Sequence, residues 1–161
     1  GSGCLLLALL KELKNAKGVG VDIVKDAVLM AQKNALHLGL DKRALFIQDD
    51  WGKHLDVKFD VIVSNPPYVS TSEYEKLSAE VKNYDPKLAL EAGPEGLNCY
   101  REILEVLPKI VKQNTIIAFE IGYNQKESVS TLIVSHGFRI MECVKDLALN
   151  HRVIVFQSML S

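Results

Sequence analysis

The sequence predicts an α/β fold: a mostly parallel β-sheet covered by helices on both faces, with one antiparallel strand near its edge. Three observations predict it. Short apolar, β-rich runs alternate with longer stretches of helical period through most of the chain. The last two strand-like runs have no helix between them, and the short link Lys145 to His151 suits antiparallel neighbours. Polar or glycine-rich signals stand at four strand ends, the rim on which open α/β sheets bind ligands.

The elements follow in chain order. Cys4 to Asn15 reads as a helix with a large apolar face, and Gly18 to Asp22 as a short buried strand. From Asp26 to Leu38, Val28, Leu29, Ala31, Ala35, Leu36 and Leu38 recur at helical period, and Gly39 follows as a stop. Ala44 to Gln48 and Lys58 to Ser64 read as strands. Ser70 to Asn98 is polar and rich in turn formers, an irregular excursion with one helical stretch near Glu73 to Ala79. A connection this long inside a domain is usually functional or mobile. Leu97 to Gln113 reads as a helix in which Pro108 costs a hydrogen bond or a kink. Thr115 to Ile121 is a strand, Gln125 to His136 a helix, and Phe138 to Val144 and Arg152 to Gln157 the final strands.

Composition sets the limits. The 161 residues suffice for one domain with a real core, and 48% apolar with 24% charged residues is ordinary for a globular protein. A net charge of −1, from 19 basic and 20 acidic residues, argues against a broad nucleic-acid footprint. Cys4, Cys99 and Cys143 show neither metal spacing nor a disulfide framework. They read as buried, reduced thiols of a cytoplasmic protein. No apolar run approaches the roughly 20 residues that span a bilayer, so no membrane partner is expected. Cys4 to Leu10 lacks the flanks of a signal peptide. The first residue is Gly, and the chain reads as beginning inside a larger protein.

The most specific motif is Asn65-Pro66-Pro67-Tyr68, directly after the run Phe59 to Ser64. Each Pro fixes its φ and lacks an N–H. Pro66 pushes Asn65 out of the helical region, and Pro67 does the same to Pro66. The carbonyls of Asn65 and Pro66 are therefore kept from a following helical turn. The Asn65 side chain adds an acceptor and two donors, and Tyr68 adds a flat wall. Such a site can hold a planar amide or amino group by its N–H bonds under an aromatic ring. The plainer reading is a rigid turn.

Other signals are weaker singly. Gly1-Ser2-Gly3 opens a helix and would let a ligand approach its N–H groups, although a cloning scar also ends this way. Asp22 ends a strand about 20 positions after the glycine-rich turn, the place of an acid that binds ribose hydroxyls. It also reads as the N-cap of the next helix. Asp50 beside Trp51, the single Trp, suits an adenine amino group and its ring, or is a loop acid beside a core Trp. No Ser-His-Asp or Cys-His set is evident, and His37, His54, His136 and His151 lack metal-site spacing, so they read as surface or structural and no metal is expected. Glu120 and Asn150-His151-Arg152 stay open between lining the rim and structural work.

Together these residues resemble the class I S-adenosylmethionine-dependent methyltransferases, most closely the protein-(glutamine-N5) methyltransferases of peptide chain release factors. The resemblance covers nearly all of the chain. Further matches are Tyr84-Asp85-Pro86, Ala89-Leu90 with Gly93 and Gly96-Leu97, Phe119-Glu120-Ile121-Gly122, and Asp146 with Arg152-Val153. The Asn-Pro-Pro-Tyr motif is shared with enzymes that methylate amino groups of bases. Leu88 to Leu97 and Asn150-His151-Arg152-Val153 favour the glutamine family.

The resemblance implies a Rossmann-like sheet over 1–161 whose first strand is missing, together with the family's amino-terminal helical domain. It implies S-adenosyl-L-methionine as cofactor, held by Gly1, Gly3, Asp22, Asp50, Trp51 and Asn65. It implies a release-factor glutamine, in a Gly-Gly-Gln motif, as substrate, held by Asn65, Pro66, Pro67 and Tyr68. Asn65, Pro66 and Tyr68 would carry catalysis. Release factors are then the partner, with no stable nucleic-acid binding. Leu149 stands where the family usually has Gly. The departures imply that these 161 residues alone are a weak or inactive enzyme. Two alternatives stay open: an amino-methyltransferase of nucleic-acid bases, and an inactive methyltransferase fragment.

Overall fold

Apolar spacing and glycine punctuation build the first elements. The computed structural model describes residues 1–84 and 86–159. The chain gathers into two compact units, Gly1–Leu55 and Asp56–Ser161.

The first unit runs α1 (Cys4–Glu12), β1 (Gly18–Asp22), α2 (Lys25–His37) and β2 (Ala44–Gln48). β1 and β2 pair in parallel, from Gly18 opposite Ala44 to Asp22 opposite Gln48. Leu7 and Leu10 of α1 and Val28, Ala31 and Ala35 of α2 are spaced by three, four or seven residues, so each set forms one stripe. They close over Phe46 and Leu40 in a single core. Burying each large side chain contributes about 1.5–3 kcal/mol. α1 stops at Glu12, short of Asn15, and the Arg43 guanidinium donates to the Leu10 carbonyl in its last turn and to the Leu13 and Ala16 carbonyls beyond it, at 2.7, 3.0 and 3.0 Å. The buried stripe of α1 begins at Leu7, which leaves Cys4 exposed, and Cys99 and Cys143 are half-buried, which corrects the expectation of buried thiols.

The second unit contains β3 (Phe59–Ser64), α3 (Thr71–Lys76), α4 (Ala79–Tyr84), a 3₁₀ turn (Lys87–Ala89) and α5 (Asn98–Ile110). β4 (Val111–Glu120), α6 (Lys126–Ser135), β5 (Phe138–Lys145) and β6 (His151–Ser158) follow. Its four strands lie in the order β3-β4-β6-β5. β3 and β4 are parallel, while β6 is antiparallel to both of its neighbours. The expected antiparallel strand is thus β6, one place in from the edge. Among the described residues the strands form two sheets, β1-β2 and this one.

α5 buries Tyr100, Ile103, Leu104, Val106, Leu107 and Ile110. The Tyr100 and Phe119 rings lie 5.8 Å apart, and Phe119 meets Phe156 edge-on at 4.9 Å. Such aromatic pairs add about 0.5–1.5 kcal/mol each beyond burial. The helix ends at Ile110, two residues past Pro108, and β4 starts at Val111, ahead of the expected Thr115. A register shift absorbs the difference. Thr115 Oγ1 donates to the Phe59 carbonyl at 2.6 Å and accepts the Lys112 N–H at 2.7 Å.

The excursion after β3 is more ordered than its polarity suggests. Ser70 and Glu73 form a reciprocal capping box that starts α3. Val69 bridges to Glu91, with the Val69 N–H on the Leu90 carbonyl and the Ala92 N–H on the Val69 carbonyl, both at 2.9 Å. Asp85 of the Tyr84-Asp85-Pro86 match lies outside the described residues. No helix among the described residues is long and apolar enough to cross a membrane.

Candidate functional site

In the first unit, Asp22 stands where β1 ends. Its Oδ1 accepts the Val24 N–H at 2.8 Å, and its other oxygen takes the Gly1 nitrogen. The N-cap position of α2 is Val24, without a side-chain cap. Asp22 therefore braces the turn before the helix rather than capping it. A carboxylate has about four acceptor sites, so capacity for hydroxyl groups remains.

Gly3 begins α1 in the left-handed region at φ 77°. A Cβ there would meet Phe46 Cζ at 2.7 Å and Ala31 Cβ at 2.9 Å. Only glycine allows this approach. The Ser2 carbonyl accepts the Asn34 side-chain amide at 3.0 Å, so Gly1-Ser2-Gly3 is tied into its unit.

The Asp49-Asp50-Trp51 segment divides its work. Asp49 is buried and accepts the Asp50 N–H at 2.8 Å, the His54 N–H at 3.2 Å and His54 Nδ1 at 2.6 Å. Burial pushes its carboxyl up, but the bonds from His54 and Asp50 outweigh it and hold it below the ordinary value. Asp50 is partly exposed and pairs with Lys53 Nζ at 2.5 Å. Trp51 is half-buried, not a core residue, and adopts φ 55°. For a bulky side chain that is a strained conformation of the kind found at ligand sites.

In the second unit, Asn65 is exposed directly after β3, Pro66 is buried, and Pro67 and Tyr68 are half-buried. The loop's far end is clamped: the Tyr68 carbonyl accepts Gln125 Nε2 at 3.0 Å. Gly96, at φ 69°, lies against the same carbonyl. The loop thus runs from a strand to an anchored carbonyl through two prolines. It presents an amide, backbone carbonyls and a ring on a stiff support.

The remaining candidates do structural work. The Glu120 carbonyl accepts the hydroxyl of buried Tyr100 at 2.9 Å, and burial pushes that phenol far above its ordinary range. Asp146 accepts the N–H groups of Ala148 and Asn150 at 2.9 Å and Arg152 Nε at 3.1 Å, bracing the β5–β6 hairpin. His151 Nδ1 lies 3.2 Å from Cys143 Sγ, and His136 Nδ1 lies 2.7 Å from the Leu132 carbonyl at the end of α6. Burial, then Glu102 and Glu91, push the Cys99 thiol up to about 11, away from the reactive thiolate. No group of three or more His, Cys, Asp or Glu among the described residues could hold a metal ion. Sequence reasoning missed Gln125. No local pattern marks it, because two of its three partners, Tyr68 and Gly96, lie far away in the chain.

The comparisons with known proteins agree with this reading of the fold. A family model described as a methyltransferase domain matches residues 1–144. The chain is 43% identical over 157 residues to a release factor glutamine methyltransferase of Agrobacterium fabrum, an alignment that takes in 98% of this chain and 54% of that protein. It is 44% identical over 157 residues to a bifunctional methyltransferase of Rickettsia felis, covering 97% of this chain and 30% of that one. The chain thus spans about half the length of the first relative, 54%, and less of the second. A solved methyltransferase from Pyrococcus furiosus shares the fold, with a TM-score of 0.70 at 15% identity over 98% of this chain and 70% of that one. With a β1 that ends at Asp22, the Asn65-Pro66-Pro67-Tyr68 loop directly after β3, and a match over residues 1–144, the chain belongs to the methyltransferase-domain family.

Proposed function

We propose that this protein transfers a methyl group from S-adenosyl-L-methionine to the side-chain amide nitrogen of a glutamine in peptide chain release factors. The observation that carries the reading is the stiff Asn65-Pro66-Pro67-Tyr68 loop at the end of β3, which offers acceptors and a ring to a planar amide. The relatives named release factor glutamine methyltransferase support the substrate class. Release factors are the partner, and the cytoplasm is the location this reading implies.

The first unit's chemistry fits the cofactor. Asp22 keeps acceptor capacity for ribose hydroxyls, Asp50 is partly exposed for an adenine amino group, and Trp51 offers a wall for the ring. Gly1 and Gly3 would meet the methionine portion at the start of α1, and Asn65 would also contact the cofactor. When bound, the cofactor supplies an electrophilic methyl group, whose C–S bond breaks as the amide nitrogen's lone pair forms the C–N bond.

An amide nitrogen is a poor nucleophile because its lone pair is delocalised. Asn65 Oδ1 and the Pro66 carbonyl would accept its two N–H bonds and aim it, while Tyr68 and Pro67 cover the amide plane. The same acceptors favour the positive charge that develops on nitrogen. No base is needed before transfer, and the nitrogen afterwards releases one proton to water.

Labelled cofactor incubated with purified release factor tests the reading. Label on a glutamine side-chain amide is the expected result. Label in RNA or DNA and none in release factor would turn the assignment to base methylation. Label in neither would favour an inactive fragment.

A further inference from the structure

Gln125 occupies the N-cap position of α6, yet its side chain does not cap that helix. Ser, Thr, Asp or Asn would serve better there. The Gln125 amide is instead buried and bonded to three loops. Its Nε2 donates to the Tyr68 carbonyl at 3.0 Å and to the Gly96 carbonyl at 3.1 Å. Its Oε1 accepts the Gly122 N–H at 3.0 Å. Both donors and one acceptor site are thus engaged. A carboxylate could satisfy Gly122 but would set an acceptor against two carbonyls. An apolar side chain would leave all three backbone groups without this partner.

The Tyr68 bond matters because of what precedes it. Ser64 is held by its pairing with Phe119 of β4. Between Ser64 and Tyr68 stand Asn65 and two residues whose φ is fixed by their rings. With both ends held, few free torsions remain, and a shift at the Tyr68 carbonyl must be passed back to Asn65 and Pro66. We propose that Gln125 is a positioning residue for methyl transfer: it locks the Tyr68 end of the Asn65–Tyr68 loop, so that Asn65 Oδ1 and the Pro66 carbonyl keep the spacing that captures an amide. This rests on the reading of that loop as the glutamine-binding site.

The test compares Gln125→Met and Gln125→Glu with the unaltered protein, at a temperature where circular dichroism shows each folded. Transfer to release factor is measured with labelled cofactor, and amide exchange is followed at Val69, Thr71 and Ala92 and at Phe119 and Ile154. In Gln125→Met, kcat is expected to fall about 100-fold, the scale on which a misplacement of about 1 Å acts. KM for the cofactor changes far less than kcat, because the cofactor's proposed contacts other than Asn65 lie outside this loop. Exchange speeds up at the loop amides and stays slow in β4 and β6. In Gln125→Glu, the introduced carboxyl regains one O–H donor when protonated. Its activity relative to the unaltered protein is therefore expected to recover as pH falls, which a purely structural role would not produce. Unchanged kcat, or unchanged loop exchange, in a folded variant overturns the proposal. If the unaltered protein labels no release factor, the substrate reading has failed. The exchange comparison then decides alone whether Gln125 fixes the loop.

Discussion

An added Cβ on Gly96 would lie 2.4 Å from the carbonyl oxygen of Tyr68 and 2.8 Å from Gln125 Nε2. No flexible side chain can yield there, since the first obstacle is backbone. Gly96→Ala therefore combines a clash with a left-handed φ, and the conformation alone costs about 1–2 kcal/mol. Loss of at least that much stability is expected in urea denaturation, with weakened methyl transfer wherever the variant remains folded.

Asn65 is exposed in the loop directly after β3, so Asn65→Ala should fold normally. It removes one of the two acceptors proposed to aim the amide. By analogy with losing one preorganised polar group from an active site, kcat is expected to fall about 10²–10³-fold. Calorimetry should find cofactor affinity less affected than kcat.

Asp22→Ala tests the cofactor assignment from the first unit. Hydrogen bonds to a charged acceptor contribute about 1.5–3 kcal/mol, which corresponds to roughly 10–150-fold in the dissociation constant. Calorimetric titration with S-adenosyl-L-methionine reads this directly. Affinity equal to that of the unaltered protein would remove Asp22 from the site. Because Asp22 also accepts the Val24 N–H, the thermal midpoint should be measured alongside.

Leu149 adopts φ 65° and is 74% exposed in the β5–β6 link, so its strain is not offset by burial. Leu149→Gly relieves about 1–2 kcal/mol of conformational strain. It returns about 0.5–1 kcal/mol through greater freedom of the unfolded chain. A net gain of up to about 1.5 kcal/mol in chemical denaturation is expected.

The pH dependence of stability should reflect Asp146 and Asp49. The Asn150 N–H first, with Arg152 and the Ala148 N–H, holds the Asp146 carboxyl below its ordinary value. Asp49 is pushed up by burial, but the His54 and Asp50 bonds outweigh this and hold it below its ordinary value. A depressed folded value means that the contribution is complete above the unfolded value of about 3.9. It is lost as pH falls through the folded value. The contribution of these two acids to the urea midpoint should hold down to about pH 5 and be lost below about pH 4. Asp146→Asn should make that loss shallower.

Periodicity and punctuation in the sequence alone determined most elements. β1 and β2 lie where their β-rich runs predict, and α2 and α5 form within the stretches of helical reading, although of the apolar residues expected along α2 only Val28, Ala31 and Ala35 are buried while Leu29, Leu36 and Leu38 are exposed. The stiffness of Asn65-Pro66-Pro67-Tyr68 was equally legible, because a proline restricts its own backbone and its neighbour's whatever surrounds it. Tertiary structure decided what depends on residues far apart in the chain. It inserted β6 between β4 and β5 and ordered the excursion after β3 through the Val69–Glu91 bridge. It also brought Gln125 to Tyr68 and Gly96. Local propensity acts over a few residues, whereas a buried amide is satisfied by whichever distant backbone groups the packed chain brings to it.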